Sequence, residues 1–88
     1  MSQIPERFRK AVAKARQKLE AAGHIPCSLY ISHKTLKECA GGVGDDVLAG
    51  ELELNVWIIE DGSPTIVSIS MRPPAQSYSY DFQIVTGL

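Results

Sequence analysis

Residues 51–60 read Glu51-Leu-Glu-Leu-Asn-Val-Trp-Ile-Ile-Glu60, and after Asp61-Gly-Ser-Pro64 the chain continues Thr65-Ile-Val-Ser-Ile-Ser-Met71. Both runs alternate with period two, the signature of strands with one buried face. The short polar turn between them predicts a β-hairpin. Pairing Glu60 with Thr65 aligns Ile58 with Val67, Val56 with Ile69 and Leu54 with Met71, all apolar and all on one face. The other face then pairs Ile59 with Ile66, Trp57 with Ser68 and Asn55 with Ser70.

Beyond this hairpin, Arg72-Pro73-Pro74 cannot continue a central strand, because two prolines remove two donors. Alternation resumes over residues 78–85, with Tyr78, Tyr80, Phe82 and Ile84 against Ser79, Asp81, Gln83 and Val85. On the N-terminal side, residues 41–44 are Gly-Gly-Val-Gly and lead through Asp45 and Asp46, a pattern that predicts a mobile connector. Before it, Ser32 is placed to cap a short helix over residues 33–40, with Leu36, Cys39 and Ala40 inward. Residues 26–32 form another alternating strand, with Cys27, Leu29 and Ile31 on one face and Ser28, Tyr30 and Ser32 on the other. Residues 5–22 are an amphipathic helix: Phe8, Val12, Ala15, Leu19 and Ala22 form one stripe, Pro5 suits the first turn and Gly23 the stop. The order α-β-α-β-β-β predicts a single α+β domain over residues 1–88. Its expected architecture is a mostly antiparallel four-stranded sheet with one long and one short helix on one face.

Composition agrees with a folded domain. The 88 residues are 44% hydrophobic and 22% charged, with net charge -1, which argues against disorder and against a disulfide scaffold. A chain of this length buries only about 60–65% of its unfolded surface, so a deep catalytic cleft is hard to house. No run is apolar and long enough to span a bilayer, and the N-terminus lacks the apolar core of an export signal. A cytoplasmic location with reduced Cys27 and Cys39 is therefore expected. The chain starts at Met and carries no linker or tag, so it reads as a complete small gene product.

Charge is unevenly distributed. Residues 1–44 hold eight of the nine Lys and Arg against Glu6, Glu20 and Glu38, a net +5; residues 45–88 hold Arg72 against seven acids, a net -6. Such asymmetry marks either an interaction face or two solvated faces that neutralise each other.

The chemistry-bearing residues are few. His24, Cys27, His33 and Cys39 are zinc-ligand types, but Cys-x5-His-x5-Cys is not knuckle spacing, and no metal or other cofactor is expected. Cys39 with His33 or His24 is the only nucleophile–base pair to name, and residues six apart on one helix point to different sides. The acids Glu51 and Glu53 would share a strand face, where solvated carboxylates are commoner than a catalytic pair. The segment Gly41–Gly44 lacks the Lys and Ser/Thr of a phosphate loop and runs into two acids. No catalytic residue is expected, and the chain reads as a non-enzyme.

Two surfaces remain. Cations Arg7, Arg9, Lys10, Lys14, Arg16 and Lys18 could track a phosphate backbone, which makes nucleic-acid binding the alternative function. The favoured reading uses the sheet face turned away from the helices: Trp57, Ile59, Ile66 and Val85 form an apolar patch rimmed by Glu51, Glu53, Glu60 and Asp81. That patch predicts a non-enzymatic protein-binding module, working on a partner with a basic surface or on a second copy as a homodimer. Small, motif-poor chains of this kind are often adaptors or inhibitors, phage-encoded accessory proteins among them, an association made at the level of fold. A small enzyme or metal-binding protein is the second alternative.

Overall fold

In a computed structural model of the chain, residues 4–71 and 82–88 are described. They form α1 (Glu6–Ala21), β1 (Ser28–Ser32), α2 (His33–Cys39), α3 (Asp45–Leu52), β2 (Asn55–Ile59), β3 (Ile66–Ser68) and β4 (Phe82–Ile84). The readings made for residues 72–81, Asp81 among them, lie outside the described residues.

Helix α1 follows its hydrophobic period. Phe8, Val12, Ala15 and Leu19 are buried, while Ala22 lies beyond the last turn and is exposed. The helix ends in a Schellman motif: the Gly23 N–H donates to the Glu20 carbonyl (3.0 Å) and the His24 N–H to the Leu19 carbonyl (2.9 Å). Gly23 sits at φ 87°, a conformation that glycine adopts without a Cβ clash. At α2 the expected cap is present, since Ser32 Oγ accepts from the Thr35 N–H at 3.2 Å. Asp61 Oδ1 accepts from the neighbouring Lys34 N–H at 3.1 Å, so a carboxylate from a distant turn also holds this helix start.

The four strands lie in the order β2-β1-β3-β4. Strand β1 pairs in parallel with β2 and antiparallel with β3, and β3 pairs antiparallel with β4. The fold is thus α+β with a mixed, mostly antiparallel sheet. Leu29, Ile31 and Val67 of one sheet face share a single core with Phe8, Val12 and Leu19 of α1, Leu36 of α2, and Leu48 and Leu52 of α3. All three helices contribute to that layer.

The hairpin between residues 51–60 and 65–71 does not form. β1 lies between β2 and β3, and Ile58 faces Ile31, Val56 faces Leu29 and Val67 also faces Leu29. Alternation assigns each residue to a face but leaves its neighbour open, and Val56, Ile58 and Val67 lie on the helix side as the alternation predicts. Insertion of β1 gives Leu29 apolar partners on both flanks, which an edge position would halve. Every residue of β1 is buried.

The connector expected from residues 41–44 through Asp45 and Asp46 is also corrected. Asp45 to Leu52 are helical, with Asp45 and Asp46 in the first turn, where carboxylates oppose the positive helix end, and Leu48 and Leu52 four apart in the core. Glu51 and Leu52, read as strand, therefore belong to α3. Glu53 closes the helix at φ 56°, ψ 40°, a left-handed cap that costs a non-glycine residue about 1 kcal/mol.

Candidate functional site

The sheet face opposite the helices carries registered cross-strand rows. One row runs Trp57–Tyr30–Ile66–Ile84 across all four strands, and a second runs Asn55–Ser28–Ser68–Phe82. Tyr30 and Ile66, on the two central strands, are buried at 0% and 6% exposure. Trp57 and Ile59 on the β2 rim are half-buried, and Ile84 on the β4 rim is 49% exposed. Apolar surface is therefore concentrated at the two rims of this face.

Polar groups on the face bond to one another and to the backbone. Trp57 Nε1 donates to Ser28 Oγ at 3.3 Å, which fixes the indole against β1. Tyr30 Oη donates to the Ser70 carbonyl at 3.1 Å, and Ser68 Oγ accepts from the Ser70 N–H at 3.1 Å. Asn55 Nδ2 donates to the Cys27 carbonyl at 3.2 Å beside the Met71 thioether. Among the described residues no buried side-chain nitrogen or oxygen lacks a hydrogen-bond partner.

The residues expected in the patch separate. Trp57 and Ile59 lie together on β2 and face away from the core. Ile66 shares their face but is buried, with Tyr30 between it and Trp57, so Ile59 and Ile66 are not neighbours. Val85 is corrected to the opposite face: it is a member of the core, and its N–H donates to the Thr65 carbonyl. Ile84, one residue earlier, is the exposed member. Of the acids, Glu51 turns from the sheet and pairs with Arg9 at 2.9 Å, whereas Glu53 and Glu60 stand exposed at the two ends of β2.

The basic helix divides as well. Arg9 faces α3 through Glu51, and Arg16 Nη1 donates to the Leu52 carbonyl, the last of α3. That carbonyl is one of the acceptors a helix leaves unpaired at its C-terminus, so Arg16 both bonds it and meets the negative helix end. Arg7 Nε donates to the Gly87 carbonyl at 2.9 Å, and Lys10 makes an exposed contact with Glu6 at 3.5 Å. Only Lys14 and Lys18 of the six have no ion pair or hydrogen bond among the described residues. An open groove of about 430 Å³ between α1 and Thr86–Gly87 is lined by Arg7, Lys10 and Lys14 and also by Glu6. Part of the charge asymmetry is therefore internal complementarity between α1 and α3, through Arg9 with Glu51 and Arg16 with the α3 C-terminus. Arg16→Met should accordingly lower unfolding free energy by about 1–2 kcal/mol. Lys14→Gln should stay within about 0.5 kcal/mol of wild type. Urea unfolding midpoints check both, and equal midpoints for the two variants would contradict the assignment.

Cys39 lines a cleft of about 230 Å³ with Pro5, Arg7, Phe8, Glu38 and Leu88, while His33 lines a separate one with Leu36, Lys37, Gly42 and Val43. Cys27 and Cys39 are free thiols. Among the described residues no three His, Cys, Asp or Glu side chains gather as a metal site, and no helix is long and apolar enough to cross a membrane. No protein-family model, curated protein or solved structure matches the chain.

Proposed function

We propose that the chain is a non-enzymatic protein-binding module, a small cytoplasmic adaptor or inhibitor, whose contact surface is the rim of the sheet at β2. The observation that carries this reading is the position of Trp57 and Ile59. They are large, apolar and half-buried, they lie two residues apart on a rim strand, and they face away from the helices. A half-buried tryptophan fixed by one hydrogen bond is a preorganised anchor, able to bury its remaining exposed area with little loss of freedom. Glu53 and Glu60 flank it and favour a partner of opposite charge.

Site-specific photo-cross-linking tests the reading. A benzophenone amino acid at Ile59, in the cell that makes the protein, should capture a discrete protein, and the same group at Lys14 should not. Circular dichroism checks that both proteins fold. Capture at Lys14 alone, of protein or of nucleic acid, would place the contact on α1 and overturn the proposal.

A further inference from the structure

We infer that β2 accepts an extended segment of another protein as an added outer strand, and that this segment carries basic residues at both ends; the inference deepens the protein-binding reading and rests on it. The sheet order puts β2 at the rim, with β1 on one side and, among the described residues, no strand on the other. In a parallel pair, successive residues turn their amide groups alternately toward and away from the neighbour. The Asn55 N–H donates to the Cys27 carbonyl at 2.9 Å, which turns Asn55, Trp57 and Ile59 toward β1. Val56 and Ile58 consequently present their N–H and C=O groups outward.

Natural sheets commonly blunt such a rim with lysine, proline or a bulge. Here the rim reads Asn-Val-Trp-Ile-Ile, uncharged and without proline, and its register with β1 runs unbroken from Asn55 to Ile59. An added strand would bond to Val56 and Ile58 through its main chain and lay alternate side chains beside Trp57 and Ile59. Main-chain bonds give affinity in this mode, and side-chain neighbours give selectivity.

Charge selects the occupant. Glu53 precedes β2, and Glu60 and Asp61 follow it; Glu53 and Glu60 form no ion pair among the described residues. Glu53 holds its carboxylate there from a left-handed backbone that glycine would adopt without strain. A second copy brings no complementary charge to these ends, and in the antiparallel two-fold pairing centred on Trp57 it sets Glu53 opposite Asp61 at both ends, where like charges are destabilising. A segment with an apolar, alternating centre and Lys or Arg at its ends meets the same surface with complementary charge.

The test is selection of a random linear-peptide display library on the immobilised chain, followed by synthesis of the enriched peptides. Enriched sequences should alternate apolar residues between basic ends. Trp57, the chain's one tryptophan, should shift its emission when they bind. N-methylation along a peptide should alternate in effect: one set of positions weakens binding at least tenfold and the intervening set leaves it within twofold, since only alternate amides face β2. Because these changes are made on the peptide, folding of the protein is not at issue. Glu53→Lys with Glu60→Lys should weaken the basic peptides at least tenfold.

Peptides that bind without this alternation would overturn strand addition and leave the protein-binding reading standing. Failure to enrich any peptide, with successful cross-linking at Ile59, would do the same. Failure of both experiments would remove both readings. A dimer in light scattering that Ile59→Lys dissociates would make a second copy the occupant, and so overturn the proposal.

Discussion

Phe8→Ala is expected to lower the unfolding free energy by about 3–5 kcal/mol, the range for truncating a fully buried phenylalanine. Phe8 is 1% exposed and lies on the stripe by which α1 contacts β3 and β4. Truncation removes the ring's transfer energy and leaves a cavity that two layers of secondary structure cannot close by small shifts. A domain of this length has a total stability of about 4–13 kcal/mol, so this loss is a large fraction of the whole. The measurement is a urea titration followed by far-ultraviolet circular dichroism. A shift below about 1 kcal/mol would mean that α1 is not seated on the sheet through this face.

Leu48→Ala is the second large effect, with an expected loss of about 3 kcal/mol. Leu48 is completely buried, and α3, which carries it, packs on β2. The control is Val47→Ala, the adjacent and exposed residue, which should change stability by about 0.5 kcal/mol or less. The pair separates a packed element from a loop, since in a loop neither substitution would matter. With a urea m-value of about 1 kcal/mol/M, the Leu48→Ala midpoint should fall by about 3 M.

Leu48 lies in a segment whose sequence pattern is ambiguous for a physical reason. Over residues 45–54 the chain offers two periods at once. Leu52 and Leu54 alternate with Glu51 and Glu53 as a strand would, while Leu48 and Leu52 repeat at four as a helix would. Gly50 weakens the helical signal, and Glu53 ends the helix in a left-handed conformation usually given to glycine. The helix-start signal in Asp45 and Asp46 was present but was read as loop chemistry. By contrast α1 and the Ser32 cap were legible because their determinants are local: a stripe of Phe8, Val12, Ala15 and Leu19, and a hydroxyl three residues before the amide it binds.

The candidate site was legible in the same partial way. Facing alternates along a strand, so Trp57 and Ile59 were placed correctly on the side away from the helices. What alternation cannot supply is the neighbour across the strand, and so Ile66 was set beside Ile59 where Tyr30 intervenes. Val85 was misplaced because the phase of a three-residue strand is set by its pairing, which seats Ile84 opposite Ile66 and turns Val85 to the core. The division of the cations into those that brace α3 and those open to solvent needs the helix–helix arrangement, which no spacing within residues 7–18 encodes.

The strand order also has a kinetic consequence. In the sheet β1 is flanked by β2, which is joined to it through α2 and α3, and by β3, which lies beyond β2 in the chain. No tight hairpin is available to nucleate the central pairs, so large loops must close before those ladders form, and folding should be slow for a chain this short. During synthesis β1 emerges before either flanking strand exists. Until β2 and β3 have followed, Leu29, Tyr30 and Ile31 are apolar residues on an unpaired ribbon, and the nascent chain is then most exposed to association with other chains.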